Sequence, residues 1–286
     1  MSAYIEEDVG NIISLEHINV QVPDQSLAIL FYVVGMGFTR DPYLTVGLNN
    51  MWVNVGEQQF HLPTRQAQVI DGHIGVVVPD LDALETRLQS VADGLKSTRF
   101  AFERRADHIA ATCPWGNHYR CYTSQAAFGD MTLGIPYVEF FVRPGATAAI
   151  LRFYETVFRA PVALERDAMG DFGRVKIGRV QSLLFRESDK PLAAYDGHHV
   201  AIYVANFSGP YGDLKIRGLI SEDVRNHQFR FKEIVDPKDG TAQFALEHEV
   251  RSLRHPMYQR PFVNRNPIQS QRSYRRGWDG FVPFQP

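Results

Sequence analysis

"HINVQVPDQSLAILFYVVGMGFTR" (residues 17–40) and "EFFVRPGATAAILRFYETVFRAPV" (residues 139–162) are two copies of one plan. Each reads as a short strand, a turn containing proline, a helix ending in Phe-Tyr, and a small-residue turn into the next strand. The Phe-Tyr pairs are Phe31-Tyr32 and Phe153-Tyr154, an offset of 122 residues that carries His17 onto Glu139 without a gap. Alternating, glycine-punctuated segments follow each copy, "NMWVNVGEQQFHLP" (50–63) and "FGRVKIGRVQSLLF" (172–185); they read as strands. Two histidine-headed strands come next, "DGHIGVVVPD" (71–80) and "YDGHHVAIYV" (195–204). After the first, "DLDALETRLQSV" (80–91) sets Leu81, Leu84, Leu88 and Val91 on one helical stripe. The chain therefore reads as α+β, four βαβββ modules paired two by two, with a boundary near "SQAAFGDMTLGIP". The expected domains are residues 1–128 and 129–250, each a cupped mixed sheet, followed by an extended tail over 251–286.

Composition narrows the partners. With 286 residues, 44% hydrophobic and 22% charged, the chain has the make-up of a globular protein of two ordinary domains. A formal net charge of −2 carries no overall signature of nucleic-acid or membrane-surface binding. No apolar run is long enough to span a bilayer, and the N-terminal "MSAYIEEDVG" is acidic rather than signal-like, so a cytoplasmic location is expected. Cys113 and Cys121 have no framework around them and are expected to be reduced and structural.

In "GHHVAIYV" successive side chains point to opposite faces, so only one of His198 and His199 looks into a cup. Equivalence with His73 makes it His199, with Ala201 and Tyr203; His198 then points outward with Val200 and Ile202.

The motifs "EHINVQVPD", "FYVVGMGF", "GEQQFHL", "GHIGVVVPDL" and "CPWGNHYRCY", then "FYETVF", "GHHVAIYV" and "DPKDGTAQFALEHE", resemble those of the vicinal oxygen chelate superfamily over residues 13–250. That superfamily includes glyoxalase I, the fosfomycin and bleomycin resistance proteins and the two-domain extradiol dioxygenases. The resemblance implies a divalent metal, held by inward-facing residues and acting as a Lewis acid on a substrate that chelates it through two oxygens. It maps four positions per domain: His17, His61, His73 and Arg120 in the first, and Glu139, Leu183, His199 and Glu247 or Glu249 in the second.

On this mapping the second domain is the expected metal site, with Glu139, His199 and either Glu247 or Glu249 suiting Fe, Mn, Co, Ni or Zn. Glu139 or Glu247 would serve as the catalytic base. His17, His61 and His73 form a competing site for zinc or copper, opposed by the fixed charge of Arg120. The acid/base histidine of extradiol dioxygenases would fall at residues 183–185, where the chain is apolar. The implied activity is that of a dioxygenase, isomerase or lyase on a small oxygenated metabolite, anionic or aromatic. The alternative is a metal-free binding protein of the bleomycin-resistance kind. The Arg/Pro/aromatic tail suits a strap across the body or across a neighbouring subunit in a homo-oligomer, and Arg251, Arg254 and His255 at its start would border the pocket and hold an anionic substrate group. No nucleic-acid or membrane partner is expected.

Overall fold

The computed structural model describes residues 7–41 and 49–260. The expected tail therefore lies outside the described residues beyond Arg260. Four βαβββ modules are present. The first holds β1 (Ile12–Asn19), a helix α1 (Gln25–Ala28) that continues as a π-helical turn over Ile29–Gly35, β2 (Thr39–Arg40), β3 (Asn50–Val55) and β4 (Gln58–Pro63). The second holds β5 (Gly72–Val77), α2 (Leu81–Leu95), β6 (Ala101–Arg104), β7 (Ile109–Thr112) and β8 (His118–Tyr122). The third is β9 (Gly134–Val142), α3 (Thr147–Phe158), β10 (Val162–Asp167), β11 (Gly170–Lys176) and β12 (Ser182–Glu187). The fourth is β13 (His199–Val204), α4 (Ser208–Ile216), β14 (Ile220–Arg225), β15 (Gln228–Val235) and β16 (Ala242–Ser252).

Local chemistry explains the first two helices. The repeated Val-Pro-Asp places Asp24 and Asp80 at N-caps, where each carboxylate accepts from the two backbone N–H groups that follow, Ser26 and Leu27 in one case and Asp82 and Ala83 in the other. Leu81, Leu84, Leu88, Val91 and Leu95 form the buried stripe of α2.

Two eight-stranded sheets result, and they do not close within the chain halves. One runs β14-β15-β16-β13-β1-β4-β3-β2 and the other β10-β11-β12-β9-β5-β8-β7-β6. Module 1 thus shares a sheet with module 4 through β1 and β13, and module 2 with module 3 through β5 and β9. The expectation that each half closes its own cup is corrected on this point. The helices do follow the halves: α2 packs on the helix over 25–35, and α3 on α4. Tyr32 bonds Tyr119 across modules 1 and 2 (2.8 Å), and Tyr154 bonds His248 across modules 3 and 4 (2.7 Å).

Glycine explains one of the two sheet junctions. A Cβ on Gly75 would sit 2.4 Å from the Tyr137 ring, and one on Gly72 (φ +149°) 1.9 Å from the carbonyl oxygen of Glu139. Both glycines of β5 are therefore spent on the close approach of β9. Cys113 and Cys121 are free and buried.

Candidate metal centre

The sheet of modules 1 and 4 gathers His17, His61 and His199, from β1, β4 and β13. Each offers a ring nitrogen, and the three nitrogens lie within 4.8 Å of one another. His17 is 1% exposed and His199 7%. A polar atom this deep is normally hydrogen-bonded. Yet the Nε2 atoms of both His17 and His199 are buried with no hydrogen-bond partner.

Neighbouring groups prepare the imidazoles. Glu16 accepts from Nδ1 of His17, leaving the lone pair on Nε2. Burial pushes the Glu16 carboxyl up, but the charges of Arg251 and His17 overrule it and hold it at about 2. His61 donates from Nε2 to Asn50 Oδ1 at 2.8 Å, which leaves its lone pair on Nδ1. Burial, then the neighbouring histidine charge, drives His61 and His199 well below the ordinary imidazole range, so both are neutral near pH 7. Trp52 lies flat on His61 and edge-on to His17.

Two glutamates border the cluster. Glu247 Oε1 is 3.6 Å from His199 Nδ1, and Glu249 Oε2 is 3.9 Å from His199 Nε2. Strand register distinguishes them. In module 1, His17 lies opposite Gln59, and His61 is two residues further along β4. In module 4, His199 lies opposite Glu247, and Glu249 is two residues further along β16. Glu249 is therefore the counterpart of His61, and Glu247 that of Gln59. Glu249 is also the deeper of the two, its side chain 4% exposed against 25%. Both its oxygens are held by guanidiniums, Oε2 by Arg230 and Oε1 by Arg251. Burial raises the Glu249 carboxyl, but Arg251 and the other nearby charges reverse that and keep it ionised.

The donor set fits a divalent cation. Three imidazoles converge, the Nε2 atoms of His17 and His199 without a partner, beside the carboxylates Glu16, Glu247 and Glu249 and the guanidiniums of Arg230 and Arg251 that hold them.

Several expected site residues lie elsewhere. Glu139 does not join His199: it belongs to the other sheet, where it faces His73 across β5 and β9 and is held by Arg186 at 3.2 and 3.1 Å. His73 is likewise separated from His17 and His61, and its Nε2 pairs with Tyr137 Oη at 3.0 Å. Arg120 stands beside His73, not beside His61, and so opposes no cation at the histidine cluster. Leu183 is fully buried core on β12, and the apolar run at 183–185 says nothing about acid/base groups in the other cup. His199 points into the cluster, whereas His198 stacks on Phe140 and bonds Asp196 at 2.7 Å.

The expected anion-holding residues also change role. Arg251 is 2% exposed and ties Glu16 to Glu249, so it organises the ligands instead of greeting a substrate. His255 is buried beside Tyr203, and Arg254 is exposed. A cavity of about 680 Å³ is lined by Glu16 and Tyr203 beside this cup and by Met257, Tyr258 and Arg260; none of the three imidazoles lines it.

Reading the halves as self-contained missed Glu16, Trp52 and Arg230, and split the three histidines. A local signal could have found Glu16, which directly precedes His17; His61, already grouped with His17, repeats the position of Glu249 relative to its module's first strand.

No protein-family model matches the chain, and no curated protein matches it significantly. Solved structures do. A candidate dioxygenase from Bacillus subtilis subsp. subtilis str. 168 is similar at 15% identity and TM-score 0.57, covering 96% of this chain and 92% of that one. Glyoxalase I from Zea mays is similar at 14% identity and TM-score 0.58, over 84% of this chain and 92% of that one. A point mutant of the same maize enzyme gives TM-score 0.59 over the same shares. At such identities the likeness is one of fold: the chain has a glyoxalase-like α+β fold of two mixed sheets, as its motifs led one to expect.

Proposed function

We propose that the protein is a metal-dependent enzyme whose site is the cup of modules 1 and 4, acting on a small metabolite that presents two adjacent oxygens. The observation that carries this reading is the pair of buried, unpartnered Nε2 atoms of His17 and His199 on two imidazoles that converge with His61. His17, His199 and Glu249 would hold the cation as two imidazoles and a carboxylate, with His61 as fourth ligand or as the adjacent proton carrier. A bound divalent cation would supply Lewis acidity toward the substrate oxygens.

The protein's own groups do the rest. Glu16 fixes the tautomer of His17, and Arg251 fixes Glu16 and Glu249 together. Neutral His61, its Nε2–H engaged by Asn50, keeps Nδ1 free to accept a proton from a hydroxyl. Trp52 roofs His61 and keeps water from its ring face. The metal-free binding alternative is left without a role for the orphaned nitrogens.

Equilibrium dialysis of chelator-treated protein against Fe(II), Mn(II), Ni(II) and Zn(II) tests this reading. One tightly held ion per chain is expected, lost in His17→Ala and His199→Ala, with turnover then sought among small vicinal diols, hydroxy-ketones and keto acids. Equal metal uptake by the native protein and both variants would overturn it.

A further inference from the structure

The sheet of modules 2 and 3 has a concave face of its own. Tyr137, its hydroxyl bonded to His73 Nε2 (3.0 Å) and Tyr122 Oη (3.1 Å), stands at the centre. Three guanidiniums share this face. Arg174 is paired in a fork with Glu165, and Arg186 with both Glu139 and Asp167. Arg120 is different: it touches Met169 Sδ at 3.5 Å and the Tyr122 hydroxyl, and is in no ion pair among the described residues.

Arg120 lines a cavity of about 390 Å³ with His73, Thr112, His118 and Phe141. That volume suits a small organic ligand. Ala101 and Ala110 leave the floor shallow and apolar, and Phe141, only partly buried, offers a flat wall. The carboxylates around it are committed elsewhere: Glu103, which also lines the cavity, pairs with Arg105, Asp107 with His108, and both Asp167 and Glu139 with Arg186. His73, the other neighbour of Glu139, is neutral: burial, then Arg120 and Arg186, push it down to about 3. A fixed cation thus faces a cavity with an aromatic wall and no counter-charge assigned to it.

We propose that this second cup binds a small aromatic carboxylate, its carboxylate taken in a fork by Arg120 and its ring set against Phe141. The planar guanidinium presents two parallel N–H donors matched to a carboxylate, and its charge cannot be titrated away. The Thr112 hydroxyl, bonded to His118 Nδ1 at 3.1 Å, lies within the same cavity to take a ring substituent. No metal is required, so the inference does not depend on the histidine cluster being a metal site.

Isothermal titration of the full chain with benzoate, in chelator-containing buffer, tests it. Saturable one-to-one binding is expected in the native protein and in His199→Ala, weakened about 10- to 100-fold in Arg120→Gln, as for loss of a charge-assisted contact. Arg120→Lys should fall between. Arg120 is half-exposed, so the fold should tolerate these changes, and thermal melts confirm that each variant is folded. Absence of saturable binding by the folded native protein would overturn the proposal. So would binding that ignores Arg120→Gln, or that disappears in His199→Ala, which would move the ligand to the other cup.

Discussion

Trp52 lies flat against His61, the ring centroids 3.9 Å apart and the planes 15° from parallel. An indole stacked on a candidate ligand reports what happens to it. Among three tryptophans, Trp52, Trp115 and Trp278, only Trp52 touches the histidine cluster among the described residues. Co(II) should therefore quench part of the intrinsic emission, saturating at one equivalent, and Trp52→Phe should lose that part. Quenching unchanged by Trp52→Phe would show that the ion binds elsewhere.

Glu139→Gln should separate stability from metal retention. Glu139 and Arg186 are a buried pair, their side chains 3% and 5% exposed. Breaking such a pair costs about 3–5 kcal/mol when the remaining charge is isolated; Asp167, which also holds Arg186, brings the expected loss to about 2 kcal/mol. Urea unfolding should show that loss while bound metal stays at the native level. Loss of metal together with unchanged stability would place Glu139 in the metal site after all.

Arg251→Met should be harsher. It leaves Glu16 and Glu249 buried and facing each other without their shared cation. Destabilisation of about 3–5 kcal/mol is expected in metal-free protein, partly recovered when a divalent ion is added and supplies the missing charge. A variant as stable as the native chain in chelator would show that the two carboxylates need no counter-charge there.

His73 makes stability depend on pH. Its folded value lies at about 3, below the ordinary 6.5. Above 6.5 the imidazole is neutral in both states and the folded form has its full stability. As pH falls below 6.5 the unfolded chain takes up a proton that the folded chain refuses, so stability declines until about pH 3, by at most about 1.4 kcal/mol per pH unit. In His73→Gln, which can still pair with Tyr137, chemical denaturation between about pH 6.5 and 4 should show a shallower decline than the native protein. Identical slopes would mean that His73 does not stay neutral.

Much of this was legible in the chain itself, and the part that was not has a definite cause. The Phe-Tyr pairs, the Val-Pro-Asp caps and the glycine-histidine strand starts are local signals, and each marks its module correctly. Which modules share a sheet is not a local property. The first strand of every module is apolar on its ladder, and in a tandem series each can pair with the neighbour before it or after it; both choices satisfy the same backbone groups. Consecutive pairing from the N-terminus puts Glu139 with His199; the observed pairing, one step out of phase, puts His17 with His199 instead. Every ligand assignment turns on that single step. Gly72 and Gly75, which make room for β9, were the residues able to reveal it.

The same pairing fixes when the histidine cup can come into being. β1 leaves the ribosome well before its partner β13 and the Glu249 strand, with modules 2 and 3 made in between. Modules 2 and 3, adjacent in the chain, can close their sheet while β1 still presents an unpaired edge, open to mispairing with another chain. Ring closure over such a span is slow, because the entropy of the loop is lost before the long-range contacts form. A circular permutant beginning at residue 64, with the original ends joined by a flexible linker, turns the first and last modules into sequence neighbours. It should refold faster than the native chain, with the same histidine cup at the end of the process.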